Sequence, residues 1–433
     1  MAAKSFKNTV LLIVERMVMM LFAFSSSIAI ARLGGTELFG QYSSITAFAS
    51  ILLPMAILGL NNIATAVFLK SPNYAEPYLI TALKVRLIGA VFSIVITSLV
   101  AGFFVPDMYF YVVILVALQS FAACYVIEFY FLAQEKVFVT QKVRFLVILS
   151  VSTLKIAVAF VQPKLLYFIL LTGFENVFIA LGYWVCFQRY KKNPLGEITL
   201  KREMRIAKIL LGRAKWLIIS AFSAVMYLKF DQLMLAYFKG HEDVAQYAAA
   251  ARLSEFWYVF PVLLANVLMA KIHRSRKESE AAYANTLLGF LALMVIISFV
   301  VILFTGIFAK PLVSIVYGAH YSAASAILVV HILACLFVFQ RAVLSKWIIF
   351  ENLYRLSAIT HGVGALANIA LNFWLIPLYG GIGAAWATVL AYGISSFVSL
   401  WFFPKARPFA RQMIRATVVN IFYWQHIRQL FRN

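Results

Sequence analysis

Five cationic side chains interrupt long apolar runs of this sequence: Arg16, Lys155, Lys229, Arg252 and Arg341. Even on a conservative scale, a charged side chain at the bilayer centre costs about 2.5–3.5 kcal/mol, so such residues usually face a cavity or a partner. Arg and Lys in a low-dielectric cavity can replace the water that a phosphate group loses, so all five are candidate ligands for an anion. Arg341 has no carboxylate in its own apolar run and is the leading candidate. The alternative for Arg341 is a guanidinium capped by carbonyls or extended towards the membrane surface.

Carboxylates in the apolar runs are candidate ligands for a coupling ion, should the protein move a solute uphill. Asp231, Glu255 and Glu15 are the available groups, and nothing in the sequence separates H+ from Na+. Glu15 lies near the predicted membrane edge, where a solvated or structural role is equally compatible with its position.

The spacing of these charges predicts their pairing. Arg252 and Glu255 are three residues apart and share a helical face, whereas Lys229 and Asp231 are two apart and must point to different neighbours. The four residues therefore either line a cavity or form a neutral cluster that holds two helices together.

Other polar residues in the apolar runs admit two interpretations each. Lys155 and Glu175 lie on consecutive runs with a short link and could pair, or Lys155 could bind the substrate. Asn368 and Asn372 are four residues apart, in line with His361, and form one polar stripe. This stripe could bind sugar hydroxyls, or it could form hydrogen bonds between helices.

Membrane-crossing helices must position these side chains. Of the 433 residues, 64% are hydrophobic and 12% are charged, which is more apolar surface than a soluble domain can bury. Since roughly 20 apolar residues cross a hydrocarbon core of roughly 30 Å, the pattern predicts an all-α polytopic membrane protein with about 12 transmembrane helices. The predicted spans are 9–31, 42–69, 79–103, 108–133, 143–162, 165–187, 214–238, 246–270, 286–309, 325–349, 355–376 and 381–403.

The net charge of +22 follows this topology. With the N-terminus inside, most Lys and Arg residues fall on cytoplasmic links, and only Arg32, Lys164, Lys239 and Lys310 lie on the other side. This asymmetry predicts two cytoplasmic termini and contact with anionic membrane lipids, and it argues against nucleic-acid binding.

No motif indicates a metal or a cofactor. Cys124, Cys186 and Cys335 all fall inside predicted spans, without CxxC or Cys/His spacing. The sequence also lacks the GxxxxGK[ST] motif of ATP hydrolysis. We therefore expect no metal, no cofactor and no enzymatic activity.

The two halves of the chain share a local pattern. Segments 35–42 and 240–247 carry Gly, Glu, Gln and Tyr at identical spacing, each after the first span of its half. Two such repeats of six spans have the same orientation and are expected to enclose a central cavity, as in transporters. The alternative is that Gly-x-Glu is simply a good turn and helix start. The predicted organisation is an N-terminal six-helix lobe over 1–187, a basic cytoplasmic linker over 188–213, a C-terminal six-helix lobe over 214–403 and a basic cytoplasmic tail over 404–433.

Three segments carry a family resemblance. Residues 30–42, IARLGGTELFGQY, together with 229–235 and 246–255, resemble segments of the Wzx-type O-antigen flippases, within the multidrug/oligosaccharidyl-lipid/polysaccharide exporter superfamily. The resemblance implies a flippase for an undecaprenyl-diphosphate-linked oligosaccharide, moved from the cytoplasmic to the periplasmic leaflet of the bacterial inner membrane during lipopolysaccharide or related polysaccharide biosynthesis. Lipid II flippases of the same superfamily typically have more spans than the sequence predicts here, which disfavours that branch.

Two other function classes compete with this interpretation. A multidrug or small-cation exporter of the same superfamily would favour an acidic or apolar cavity, whereas cations predominate within the spans here. A membrane polysaccharide polymerase or glycosyltransferase needs a substantial outer loop or an acidic catalytic motif. The longest predicted outer link, 310–324, contains no carboxylate.

Overall fold

The computed structural model describes residues 2–58, 68, 75–191, 200–418 and 423–431. These residues form α-helices joined by short 3-10 turns and links, and no β-strand occurs among them. The all-α prediction is therefore confirmed. The α-helices are α1 (Ala2–Ile57), α2 (Ala75–Phe104), α3 (Tyr109–Gln119), α4 (Val126–Ala133), α5 (Val137–Val161), α6 (Leu165–Tyr190), α7 (Leu200–Lys239), α8 (His241–Glu255), α9 (Val259–Glu278), α10 (Glu280–Ile307), α11 (Ala309–Tyr317), α12 (Ala323–His331), α13 (Cys335–Phe350), α14 (Tyr354–Ser396), α15 (Arg407–Val418) and α16 (Trp424–Phe431).

Ten stretches of the described chain are long and apolar enough to cross a membrane. Two of them, Val14–Ile57 and Tyr354–Phe402, each contain two of the predicted spans. Gly35 (φ 79°) interrupts the first and Gly380 (φ 54°) the second, both in a left-handed conformation that favours glycine. The ten stretches thus overlap all the predicted spans; residues 9–13 of the first span precede Val14, and the second half of span 42–69 lies mostly outside the described residues.

The chain divides into two compact units, Met1–Val225 and Met226–Asn433. The boundary falls inside α7, within the seventh predicted span. The finer predicted division into two lobes, a linker and a tail stays a prediction, and residues 192–199 of that linker lie outside the described part.

The core of unit 1 is rich in aromatic residues from α4 and α6. Tyr130, Phe131 and Phe187 are fully buried, and the Tyr130 ring meets the Phe187 ring edge-on at 5.4 Å. These contacts fix the register of α4 against α6 and so position the polar residues on α4 described below.

The core of unit 2 is built on α10 and α13, and the chain end packs against it. Phe409 and Met413 of α15 are buried in this core, and the Phe409 ring lies 4.9 Å from that of Trp347. The predicted cytoplasmic tail over 404–433 thus contains two helices, α15 and α16, which are part of the folded unit. Whether this segment is cytoplasmic stays a prediction.

Large apolar side chains remain exposed along the predicted spans. Phe103, Val161 and Leu366 are 85%, 86% and 70% exposed, respectively. Such exposure suits a surface that contacts lipid rather than water.

Candidate functional site

Unit 1 contains a cavity of about 620 Å³ between α1, α4 and α5, which includes the sequence-predicted Arg16. Arg16 is exposed, and no carboxylate lies within 4.0 Å of its guanidinium in the described chain. The cavity also contains Arg144 and Glu128, so it holds two cations and one anion. Its lining consists of Arg16, Met19, Met20, Ala23, Ile57, Tyr125, Glu128, Phe129, Val137, Gln141, Arg144 and Ile148.

Arg144 is held in one orientation by its neighbours. Its Nη2 lies 2.9 Å from Glu128 Oε2, and its guanidinium lies 5.3 Å from the Tyr125 ring centre and 6.0 Å from that of Tyr183. Gln141 donates a further hydrogen bond of 3.3 Å to Glu128 Oε1. The charge of Arg144 is therefore largely balanced by Glu128, while Arg16 offers an uncompensated charge to the cavity.

Arg144 and Glu128 are not among the site residues predicted from the sequence. Both stand close to the predicted link between spans 108–133 and 143–162, where charged residues are expected to be solvated. Their opposite charges on either side of a short link are the sequence feature that could have predicted this ion pair.

Lys155 and Glu175 pair as predicted. Lys155 Nζ lies 3.3 Å from Glu175 Oε2, and the lysine side chain is only 7% exposed. Glu15 is partly buried on α1 and forms no ion pair in the described chain. The structure thus gives Lys155 a partner inside unit 1, and its proposed role in substrate binding stays a prediction.

In unit 2, the predicted four-residue cluster separates into distinct contacts. Lys229 Nζ lies 3.2 and 3.1 Å from the two carboxylate oxygens of Glu255, and both side chains are about one-quarter exposed. Arg252, although on the same helical face as Glu255, lies near Tyr317. Burial raises the pKa of the Tyr317 phenol to about 12, against the opposing effect of the Arg252 guanidinium.

Asp231 is 1% exposed and is held only by neutral donors. Tyr247 donates a hydrogen bond to Asp231 Oδ2, Thr388 donates one of 3.1 Å to the same atom, and the backbone N–H of Gln232 donates one of 2.8 Å to Oδ1. No Lys, Arg or His nitrogen lies within 4.0 Å of this carboxylate in the described chain. As the spacing predicted, Asp231 and Lys229 have different partners.

The Tyr–Thr contact in unit 2 has a counterpart in unit 1. Tyr42 and Tyr247 occupy the same position of the repeated segments, and Tyr42 contacts Thr172 at 3.0 Å as Tyr247 contacts Thr388 at 3.2 Å. Nine residues before the motif glycine, unit 1 has Ser26 where unit 2 has Asp231.

The backbone of the repeated segments also agrees. Gly35 has φ 79° and ψ 175°, and Gly240 has φ 90° and ψ −179°. Gly318, outside the repeat, has nearly the same angles (φ 91°, ψ 179°), so it is the tyrosine contact that favours duplication over a chance turn motif. The two copies differ nine residues before the glycine, where only unit 2 has a carboxylate, Asp231.

His331 is a residue of this site that the sequence analysis did not select. It is 2% exposed, and its ring lies 5.7 Å from that of Tyr247 in an edge-to-face arrangement. A histidine within an apolar run is the sequence feature that could have identified it, since ionisable groups in membrane spans are usually functional.

Arg341 is almost fully buried and bound by neutral oxygens. Its Nη1 donates to the Ser395 carbonyl at 2.9 Å and to the Ser395 hydroxyl at 3.3 Å, and its Nη2 donates to Thr360 Oγ1 at 3.0 Å. These contacts agree with the alternative interpretation of Arg341, in which oxygen atoms of the same unit cap its guanidinium. An anion-binding role for Arg341 stays a prediction.

Asn368 and Asn372 are fully buried and bonded to each other. Asn372 Nδ2 donates to Asn368 Oδ1 at 3.0 Å along α14. Asn368 Nδ2 and Asn372 Oδ1 are without a hydrogen-bond partner in the described chain. The stripe is thus buried and bonded within α14, and its role in sugar binding stays a prediction.

Comparison with solved structures identifies the fold over nearly the whole chain. The lipid II flippase MurJ in an inward closed conformation matches with a TM-score of 0.65 at 16% identity, covering 97% of this chain and 95% of that structure. An inward-facing multidrug resistance MATE family transporter of the MOP superfamily matches with a TM-score of 0.62 at 14% identity, covering 95% of each chain.

One curated relative is similar in sequence over part of its length. It is described as "Probable low-salt glycan biosynthesis flippase Agl15" of Haloferax volcanii, and it is 23% identical over 216 residues. The match covers 47% of this chain and 45% of the relative, so it spans less than half of either. No protein-family model matches the sequence. The chain is therefore a multi-pass membrane protein with the fold of the MurJ and MATE transporters and with partial homology to a flippase.

Proposed function

We propose that the protein is a flippase for an undecaprenyl-diphosphate-linked oligosaccharide, working by alternating access between the two leaflets of the cytoplasmic membrane. The cationic cavity of unit 1 is the observation that carries this proposal. The MurJ-like fold and the partial similarity to a glycan flippase support the same class of lipid-linked substrate.

The cavity suits a diphosphate headgroup. In the part of the chain that the structure describes, Arg16 has no carboxylate partner, and a planar guanidinium binds phosphate oxygens in a bidentate manner. Arg144, fixed by Glu128, adds a second cation of defined orientation. A volume of about 620 Å³ is within the usual range for small-ligand sites, so the cavity can hold the diphosphate and its first sugar.

The position of the cavity agrees with the direction of transport. Arg16 lies near the start of the first span, while Val137, Gln141 and Arg144 follow the link after the fourth. With a cytoplasmic N-terminus, both places are at the cytoplasmic side of the membrane. We propose this orientation, with both termini cytoplasmic, because substrate synthesised in the cytoplasm would then enter at Arg16.

Asp231 is the proposed site of ion coupling. It is a buried carboxylate with three neutral donors and no basic partner within 4.0 Å among the described residues, so H+ or Na+ could bind it without first breaking an ion pair. Glu255 is less suited, because Lys229 already neutralises it. Glu15 stays an alternative candidate.

The test is transport by the purified protein in proteoliposomes. The substrate is an undecaprenyl-diphosphate oligosaccharide with a fluorophore on its sugar, and a membrane-impermeant quencher reports its transfer. We expect Arg16→Gln to slow flipping about 10- to 100-fold, the equivalent of losing one charge-assisted contact of about 1.5–3 kcal/mol. Arg32→Gln is the matched control, since Arg32 is an exposed arginine of the same helix outside the cavity.

Two results would contradict the proposal in different ways. Flipping by Arg16→Gln at the rate of the unaltered protein would remove the assigned headgroup site but leave the function intact. An unaltered protein that flips no lipid-linked sugar and instead expels a cationic dye would establish the multidrug alternative, which the MATE-like fold permits.

A further inference from the structure

The last two helices combine a buried apolar face with an exposed basic one. On α15, Phe409, Ala410, Met413 and Ala416 are buried in the core of unit 2. The opposite face carries Arg411, Ile414, Arg415 and Val418, spaced at i, i+3, i+4 and i+7, and all four are exposed. The helix is thus amphipathic, although its apolar face is already covered by protein.

The contacts of α15 place it at the edge of the membrane-crossing helices. It begins five residues after the last apolar stretch ends at Phe402. Phe409 packs on Trp347, three residues from the end of α13, and Gln412 donates to the carbonyl of Ala284, in the first turns of α10, at 3.5 Å. Glu280 at the start of α10 and Glu351 directly after α13 are charged, so we expect the start of α15 to lie near the level of the lipid headgroups.

Helices α15 and α16 are anchored along α13 and α10. Gln340, ten residues before the end of α13, donates to Thr417 Oγ1 near the end of α15 at 3.1 Å. On α10, Gly289 lies so close to α16 that an added Cβ would come within 2.7 Å of the His426 carbonyl oxygen. The exposed face of α15 is therefore held in a fixed orientation relative to α10 and α13.

The charge of this face is uncompensated by the chain itself. No Asp or Glu follows Glu351 in the sequence, and neither Arg411 nor Arg415 lies within 4.0 Å of a carboxylate in the described part. The exposed apolar side chains beside them, Ile414 at 37% and Val418 at 74%, suit the boundary between headgroups and acyl chains.

We propose that the Arg411–Arg415 face of α15 binds the headgroups of anionic phospholipids at the membrane surface. The phosphate and any further headgroup charge contact the two guanidinium groups, while Ile414 and Val418 contact the upper acyl chains. The lipid would then hold the end of unit 2 at the interface, independently of the substrate that the protein moves.

The test compares lipid binding by the full-length protein in detergent, using native mass spectrometry with phosphatidylglycerol and phosphatidylcholine. We expect preferential phosphatidylglycerol binding, reduced about 30-fold in Arg411→Gln/Arg415→Gln, the ratio that corresponds to two basic residues of about 1 kcal/mol each near an anionic surface. Arg411→Lys/Arg415→Lys should retain most of the binding because the charge is kept.

The matched control is Lys239→Gln/Lys310→Gln, which removes the same charge from two exposed residues of unit 2 that are predicted on the other side of the membrane. We expect it to bind phosphatidylglycerol like the unaltered protein. An equal loss in both double variants would show diffuse attraction to a cationic protein, and it would overturn the proposal. No loss in the α15 variant, or equal binding of phosphatidylcholine, would overturn it as well.

Discussion

Replacing Tyr247 with Phe removes the hydroxyl that donates to the buried Asp231 carboxylate and leaves the ring in place. A hydrogen bond to a charged group contributes about 1.5–3 kcal/mol, against about 0.5–1.5 kcal/mol for one between neutral groups. A double-mutant cycle of Tyr247→Phe and Asp231→Ala should therefore give a coupling free energy of about 1.5–3 kcal/mol. Ala is the chosen partner because it removes both carboxylate oxygens and introduces no new hydrogen-bonding group.

The repeat supplies an internal control for this cycle. Tyr42 and Thr172 form the equivalent contact in unit 1 between neutral hydroxyls, at 3.0 Å. A cycle of Tyr42→Phe and Thr172→Val should give only about 0.5–1.5 kcal/mol. Unfolding free energies of all variants would be measured in mixed micelles by titration with SDS, followed by tryptophan fluorescence.

Equal coupling free energies in the two cycles would refute the reasoning. They would mean that Asp231 accepts its hydrogen bonds as a neutral acid and holds no charge for a cation to bind. If the larger coupling is found, the same variants can be assayed in proteoliposomes. We then expect Asp231→Ala to lose the dependence of flipping on the H+ or Na+ gradient, and Tyr42→Phe to keep it.

The remaining predictions concern ion pairing, the repeat and topology. Lys229→Gln alone should lower the amount of folded protein, because it leaves Glu255 unpaired, and Lys229→Gln/Glu255→Gln should restore it; a double variant as poorly folded as the single one would contradict the pairing. Gly35→Ala should lower the free energy of unfolding by about 1–3 kcal/mol through backbone strain alone, since nothing lies within 4 Å of the added Cβ; an unchanged thermal midpoint would argue against the left-handed conformation. A periplasm-active reporter should be silent when fused after Lys277 and active near His320, and the reverse pattern would invert the proposed orientation.

The composition and the apolar periodicity of the sequence determined the fold class. Runs of roughly 20 apolar residues form helices in lipid, because each backbone polar group must then form its hydrogen bond within its own segment. For the same reason the sequence located Lys155, Asp231 and Arg341, since charges inside such runs stand out without knowledge of any contact. The short link between two spans was also sufficient to predict the pair of Lys155 with Glu175.

Tertiary structure decided which of these charges are balanced. Glu255 pairs with Lys229 on another helix rather than with Arg252 on its own, and Arg341 is capped by Ser395 from far along the chain. Helical spacing says which residues share a face, but the direction of that face depends on how the helices pack.

The predicted tail over 404–433 shows most clearly that a local sequence does not reveal how helices pack. Its sequence is basic and reads as a solvated extension, yet Phe409 and Met413 are buried because α10 and α13 offer an apolar surface to cover. A local sequence cannot reveal that surface, since it is created only when distant helices come together. The apolar periodicity of the sequence therefore determined which segments are helical and where the membrane charges lie, and packing alone decided which charges are free to meet a ligand.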